Sequence, residues 1–265
     1  MSLARILICA GSDSGGGAGI QADIKTVTAL GGFAMTAITA LTAQNTLGVQ
    51  GVLAVPADFI RLQLCSVLDD LGADAAKTGM LGDAEAIETI AATLPPGLPL
   101  VVDPVMAAKG GASLLAEAAI GALKQRLIPR ATLLTPNLPE AEALLGRRIA
   151  DLAAMQAAGA DLLALGARAV LVKGGHLDGD RLFDVLVGPD GVEIFEGRRI
   201  QTRHTHGTGC TLASAIATGL GQGLTLRAAV ARARTYLIEA IRTAPGLGQG
   251  HGPLDHGHPL RRPIG

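Results

Sequence analysis

Short apolar runs alternate with longer amphipathic stretches along most of this chain. Residues 5–10, 35–41, 51–55, 75–78, 100–103, 132–135 and 169–173 read as strands. They are continuously apolar rather than alternating, as expected of strands covered on both faces. Helical spacing of apolar positions falls between many of them, around 20–30, 57–70, 84–93, 113–127, 138–145 and 151–165. Such a strand–helix–strand rhythm predicts a mainly parallel sheet flanked by helices on both faces.

Two places depart from the rhythm. Residues 35–55 hold two strands in succession around Gln44-Asn45-Thr46-Leu47-Gly48, a pair that can fold out of the sheet as a flap. Residues 182–187 and 192–195 are joined by Gly188-Pro189-Asp190-Gly191, a hairpin signal. Helical spacing returns over 210–219 and 226–242, and from about residue 245 the chain reads as an irregular tail rich in Gly, Pro and His. No repeat or long linker divides it, so residues 1–265 are expected to form one α/β domain.

Composition narrows the picture. Aromatic residues make up 2% of the chain and Trp is absent, so the core must be built from Ala, Val, Leu and Ile. The 22 basic and 23 acidic residues nearly cancel, and no Lys/Arg run marks a nucleic-acid or anionic-membrane surface. The apolar stretch 6–10 runs straight into Ser12-Asp13-Ser14, which reads as a first strand rather than a signal peptide. No run of about 18 apolar residues predicts a membrane span. Three cysteines, Cys9, Cys65 and Cys210, show no CxxC spacing and suit a reducing cytosol. A cytoplasmic protein with no membrane or nucleic-acid partner is expected.

Two Gly-rich segments are candidates for anion chemistry. The first, Gly11 to Gly19, follows a strand and opens a helix, where free N–H groups can meet an anion. Gly17-Ala18-Gly19-Ile20-Gln21-Ala22 fits the relaxed dinucleotide fingerprint, but the ribose-binding acid required about 20 residues later is missing from 35–45. A Walker A loop is excluded, because no Gly-Lys dipeptide occurs. A tight turn before a helix explains this segment equally well. The second, Thr205-His206-Gly207-Thr208-Gly209-Cys210-Thr211, precedes an Ala-rich helix. Its glycines allow close approach and the helix start supplies N–H donors at a positive dipole end. A cysteine in that first turn should have a stabilised thiolate, unless it is simply a small buried residue.

Asp103, Asn137 with Glu140, and Lys173 each follow an apolar run. In a parallel sheet these strand ends converge on the ligand crevice. An acid pair with a lysine suits Mg²⁺ and a polyphosphate. The tail, with His251, His256 and His258, lacks the ordered scaffold of a tetrahedral metal site and reads as a surface or subunit-contact segment.

Ala10-Gly11-Ser12-Asp13-Ser14-Gly15-Gly16-Gly17-Ala18-Gly19-Ile20-Gln21-Ala22-Asp23 resembles the opening of hydroxymethylpyrimidine/phosphomethylpyrimidine kinases. The likeness continues through Thr42-Ala43-Gln44-Asn45-Thr46, Lys77-Thr78-Gly79-Met80-Leu81, Val102-Asp103-Pro104-Val105-Met106 and Lys109-Gly110-Gly111. It ends with Asn137-Leu138-Pro139-Glu140, Lys173-Gly174-Gly175-His176, His206-Gly207-Thr208-Gly209-Cys210-Thr211 and Gly250-His251-Gly252-Pro253. The order is kept over almost the whole chain.

The resemblance implies a ribokinase-like three-layer α/β/α sandwich with a mostly parallel central sheet and a small β flap. It implies ATP-dependent phosphorylation of 4-amino-5-hydroxymethyl-2-methylpyrimidine (HMP), and then of HMP phosphate, in thiamine biosynthesis. Gln44 corresponds to the residue that binds the aminopyrimidine, with Asp23, Gly11, Met80 and Val105 lining the same pocket. Asn137 and Glu140 match an NxxE element tied to Mg²⁺ and phosphate, with Asp103 as a second metal carboxylate. Lys173 and Gly207, Thr208, Gly209 and Cys210 would face the ATP phosphates. Sugar kinases of this fold carry an aspartate base where Cys210 stands, so either the thiol or the turn's N–H groups serves in its place. A homodimer is implied as well, and a monovalent cation is compatible with it. A pyridoxal kinase of the same cysteine-bearing branch is the alternative. A non-catalytic ligand-binding protein and a dinucleotide-dependent oxidoreductase are less consistent with the intact motifs and the missing ribose acid.

Overall fold

The computed structural model describes residues 3–106, 117–177 and 179–261. In chain order the strands are β1 (Ala4–Asp13), β2 (Gly32–Asn45), β3 (Gly48–Ala54), β4 (Ala75–Thr78), β5 (Leu100–Val102), β6 (Leu133–Leu134), β7 (Val170–Lys173), β8 (Arg181–Gly188) and β9 (Gly191–Arg198). The α-helices are α1 (Gly19–Ala29), α2 (Ala57–Asp70), α3 (Ala84–Thr93), α4 (Glu117–Ala122), α5 (Leu138–Leu145), α6 (Leu152–Leu163), α7 (Thr208–Gly221) and α8 (Leu226–Arg242). The strands make one sheet in the order β3-β2-β1-β4-β5-β6-β7-β8-β9. From β2 across to β7 the pairing is parallel, while β3 on one edge and β8–β9 on the other are antiparallel.

Two cores explain the unbroken apolar runs. On β1, Ile6, Ile8 and Ala10 face α1, α7 and α8, joining Val27, Ile216 and Val230. Leu7 and Cys9 point the other way, into a core with Ile60, Ile87, Leu144 and Met155 from α2, α3, α5 and α6. A strand buried on both sides has no polar face to show. The ribokinase-like three-layer sandwich expected from the resemblance is the fold observed.

The chain steps from β1 through α1 to β2 on one side, then returns through α2 to β4 on the other side of β1. The strand order reverses there, and the crevice beyond the C-terminal ends of β1 and β4 is where such sheets bind ligands.

Several elements differ from the sequence expectation. The flap pair is continuous with the main sheet: β2 pairs with β1 as far as Thr42 opposite Asp13, and β3 extends the same edge. β1 itself continues past Ala10 to Asp13, with an irregularity between Ala10 and Ser12. The helix expected over 113–127 is described from Glu117, and α4 passes into a π turn (Leu123–Leu127) and a 3-10 turn (Ile128–Arg130). Its start, and the motif Lys109-Gly110-Gly111, lie outside the described residues. Among the described residues, no helix is long and apolar enough to cross a membrane.

Candidate active site

A cavity of about 620 Å³ opens at the C-terminal ends of the parallel strands. Gly11, Gln44, Met80, Asp103, Val105, Asn137, Glu140, Lys173, Gly207, Thr208, Gly209 and Cys210 all line it. They arrive from β1, β2, the segments after β4 and β5, the start of α5, the end of β7 and the start of α7.

Its most distinctive wall is the start of α7. Gly207 caps that helix at φ 85°, a left-handed backbone, and a Cβ there would run into Gly17 O. Only glycine fits. The first intrahelical bond runs from Thr211 N–H to Gly207 O (2.9 Å). The N–H groups of Thr208, Gly209 and Cys210 therefore have no acceptor within the helix, and the dipole adds positive potential at the same place. A Cβ on Gly209 would lie 3.3 Å from Asp103 Oδ2 and 3.5 Å from Lys173 Nζ, so the turn and that ion pair share one corner.

Lys173 Nζ donates to Asp103 Oδ1 (2.9 Å), and Thr135 Oγ1 donates to the same oxygen (3.1 Å). Burial alone would lower the Lys173 pKa, but Asp103 and then Glu140 hold it above the usual lysine value. The lysine stays charged. Glu140 is placed by a capping box at the start of α5: Glu140 N–H donates to Asn137 Oδ1 (2.9 Å), and Asn137 N–H donates to Glu140 Oε2 (2.8 Å). Burial pushes the Glu140 carboxyl up to about 7, with Lys173 pulling it down and Asp103 pushing it further up. Two carboxylates beside one lysine leave an excess of negative charge for a hard cation to relieve.

A second wall, at the end of β2, carries Gln44. Its amide lies 3.2 Å from both Thr42 Oγ1 and His206 Nε2. His206 Nε2 also meets Asp13 Oδ2 at 2.8 Å. Sequence reasoning missed both Asp13 and His206 as cavity residues, although both line it. The Asp13 carboxylate accepts from Gly15 N–H (2.8 Å), Gly17 N–H (3.0 Å) and Ala18 N–H (2.8 Å). Burial alone would raise Asp13, yet His206 and the Ala18 and Gly15 N–H groups hold it below the usual carboxylate range. This corrects the reading of the first Gly-rich segment. It does gather N–H groups around an anion, but that anion is the protein's own Asp13.

Three further expectations are corrected. Asp23 does not line the cavity: it is fully buried beneath it, with Lys77 Nζ 2.9 and 3.0 Å from its two oxygens and Ser214 Oγ donating at 2.6 Å. On α1, Asp23 shares the buried face with Ile20 and Val27, which points it inward. The Cys210 thiolate is not favoured in the free protein. Burial pushes the thiol up to about 11, against which Lys77 and a hydrogen bond from Gly19 N–H are too weak, and Asp23 and Asp103 add to the rise. The tail is only in part the surface segment expected: residues 245–249 and 259–261 are exposed, but Leu254, Asp255 and His256 are buried. Its N–H and carbonyl groups bond to the rest of the protein, which composition does not reveal.

Among the described residues, no three His, Cys, Asp or Glu side chains gather as a metal-ion group. Asp103 and Glu140 nonetheless fit Mg²⁺, which is commonly held by one or two carboxylates together with substrate phosphates.

A family model described as phosphomethylpyrimidine kinase matches residues 13–255. The hydroxymethylpyrimidine/phosphomethylpyrimidine kinase of Streptomyces coelicolor is 49% identical over 256 residues, covering 96% of this chain and 95% of that protein. A thiamine biosynthesis bifunctional protein of Geobacter sulfurreducens is 54% identical over 253 residues, covering 95% of this chain. This chain spans only 52% of that longer protein. Among solved structures, the ADP complex of Bacillus subtilis pyridoxal kinase matches with a TM-score of 0.88 at 37% identity, covering 98% of this chain and 99% of that one.

Proposed function

Because this chain belongs to the phosphomethylpyrimidine kinase family, we propose how its own residues carry out the transfer. It is a kinase of thiamine biosynthesis that phosphorylates HMP and then HMP phosphate, with ATP as the donor. The observation that carries this reading is the meeting of two unlike walls in one cavity: the Gln44 amide, and the α7 start with Lys173 and Asp103.

Gln44 binds the aminopyrimidine, since one amide offers both a donor and an acceptor. Gly11, Met80 and Val105 shape the pocket around the ring. Asp23 acts from below, through Lys77 and Ser214. The acceptor oxygen attacks the γ-phosphorus, the bond to the β-phosphate oxygen breaks, and ADP leaves. Lys173 and the N–H groups of Thr208, Gly209 and Cys210 stabilise the charge on the transferring group, where fixed donors act most strongly. Asn137 orients Glu140 through the capping box, and Glu140 and Asp103 would hold Mg²⁺. That ion, when bound, neutralises phosphate charge.

In the first step the hydroxymethyl proton must go to a base; Cys210 stands at the right turn, and it can take the proton only as the thiolate, which burial keeps scarce in the free protein. In the second step the acceptor is a phosphate oxygen, largely ionised at neutral pH, and needs no base. Cys210→Ala should therefore slow the first step more than the second. Equal slowing of both steps would leave the work to the N–H groups alone.

The same reading carries a cytoplasmic homodimer. Three free cysteines suit that compartment, and exposed Phe33, Val52, Leu53, Phe59 and Leu62 at the β3 edge and its surroundings support self-association. The deciding assay follows ADP release with ATP and HMP, HMP phosphate, pyridoxal or no acceptor. HMP and its phosphate should accelerate release most. A rate with HMP no higher than the acceptor-free rate defeats the reading, and a preference for pyridoxal transfers it to that substrate.

A further inference from the structure

Residues 245–261 leave α8 and run back past the turn between β2 and β3 to the start of α7. At the flap, Gly250 N–H donates to Thr46 Oγ1 (3.2 Å) and His251 N–H to Thr46 O (2.9 Å). The approach is so close that a Cβ on Gly250 would run into Thr46 O. Next, His206 N–H donates to Gly252 O (3.1 Å), and His206 forms a bridge pair with Pro253. Farther on, His256 Nε2 lies 2.9 Å from Thr211 Oγ1, which also donates to Gly207 O (2.8 Å). Tyr236 on α8 donates its hydroxyl to His256 O (2.7 Å) and fixes that end.

The contacts fall at three chosen places. Thr46 is two residues beyond Gln44, while His206 and Thr211 flank the turn 207–210. A single segment thus grips the acceptor wall and both ends of the phosphate wall.

We propose that residues 248–256 set the spacing between the two walls of the cavity, with Gly250 and His256 as positioning residues at its two ends. The inference rests on the kinase reading. Its physical ground is that group transfer needs reacting atoms about 3–3.5 Å apart, and a displacement of about 1 Å costs on the order of 10²-fold in rate. β2 already touches the α7 start through Gln44 and His206 (3.2 Å), and the strap adds the cross-ties from Thr46 to His206 and Thr211.

The two ends can be cut separately. Gly250→Ala should raise the KM for HMP by about fivefold or more while the KM for ATP stays within about twofold. His256→Leu should do the reverse, raising the KM for ATP and lowering kcat by about tenfold. His256→Gln, which can still reach Thr211 Oγ1, should recover most of that loss. A purely stabilising tail would lower the melting temperature in both variants without separating the two KM values. Parallel movement of both constants in each variant, or no movement in either, overturns the proposal. Hydrogen exchange at residues 44–48 supplies a readout that needs no substrate: it should quicken in Gly250→Ala and not in His256→Leu. If the parent protein failed to phosphorylate HMP, the kinase reading would fall while the exchange result still decided the strap.

Discussion

Lys77 pairs with Asp23 and Lys173 pairs with Asp103, each at 2.9 Å, but one pair is sealed and the other lines the cavity. The side chains of Lys77 and Asp23 are 0% exposed, and Ser214 completes the Asp23 shell. Burial alone would lower Lys77, yet Asp23, with smaller pulls from Cys210 and Asp103, holds it above the ordinary lysine value. The Lys173 side chain keeps 13% of its surface exposed, and Asp103 turns Oδ2 toward Gly209. The same two residue types therefore serve different ends. A pair whose valences are filled from within holds the layers together, and a pair open on the ligand side can act on phosphate. Cys210 stands between them and feels both.

Unfolding of Lys77→Met should show the largest effect. Leaving Asp23 buried without its partner costs roughly 3–5 kcal/mol in urea unfolding, and Lys77→Met with Asp23→Leu should recover most of it. A loss below about 1 kcal/mol would remove the distinction between the pairs. Lys173→Met should lower kcat by about 10²–10³-fold, as removal of a charge-stabilising donor does, with a smaller loss of stability than Lys77→Met. If its stability fell further than its rate, the open pair would be structural after all.

Gln44→Ala tests the wall that neither pair touches. It should weaken HMP binding by about 1–3 kcal/mol, read as a raised KM for HMP with the KM for ATP unchanged. The smallest effect sharpens the comparison most. Lys77 lowers the Cys210 thiol pKa and Asp103 raises it, so alkylation by iodoacetamide in a Cys65→Ser background can report both. Asp103→Asn should move the alkylation midpoint down and Lys77→Met should move it up. Movement in the same direction for both would mean that Cys210 does not lie electrically between the pairs.

Much of this architecture is legible in the chain. β1 shows it best: Ile6 and Ile8 feed one core while Leu7 and Cys9 feed the other, so an unbroken apolar run could only be an inner strand. Asp103, Glu140 and Lys173 follow apolar runs, and the parallel topology carries such positions to one crevice, while the turn 207–210 shows itself by its glycines ahead of an Ala-rich helix. Asp23 was misplaced because its motif outweighed its periodicity: at three residues after Ile20 and four before Val27 it belongs on the inward face of α1. Lys77, within the strand Ala75-Ala76-Lys77-Thr78, left a signal as a charge in an otherwise buried run. For Cys210, the general rule about helix starts yielded to burial. The Asp13–His206 contact joins residues 193 apart, and no local pattern encodes it.

That last separation has a consequence for biosynthesis. At translation speeds of about 5–20 residues per second, Asp13 leaves the ribosome roughly 10–40 s before His206. During that interval its carboxylate has local company, the N–H groups of Gly15, Gly17 and Ala18, so the opening turn can form early. The cavity cannot. A nascent chain stalled before residue 206 would carry the strands β1 to β9 but neither the α7 turn nor the segment that ties it to the flap. Capacity to hold nucleotide and acceptor together is thus withheld from partial products and appears only as the last helices dock.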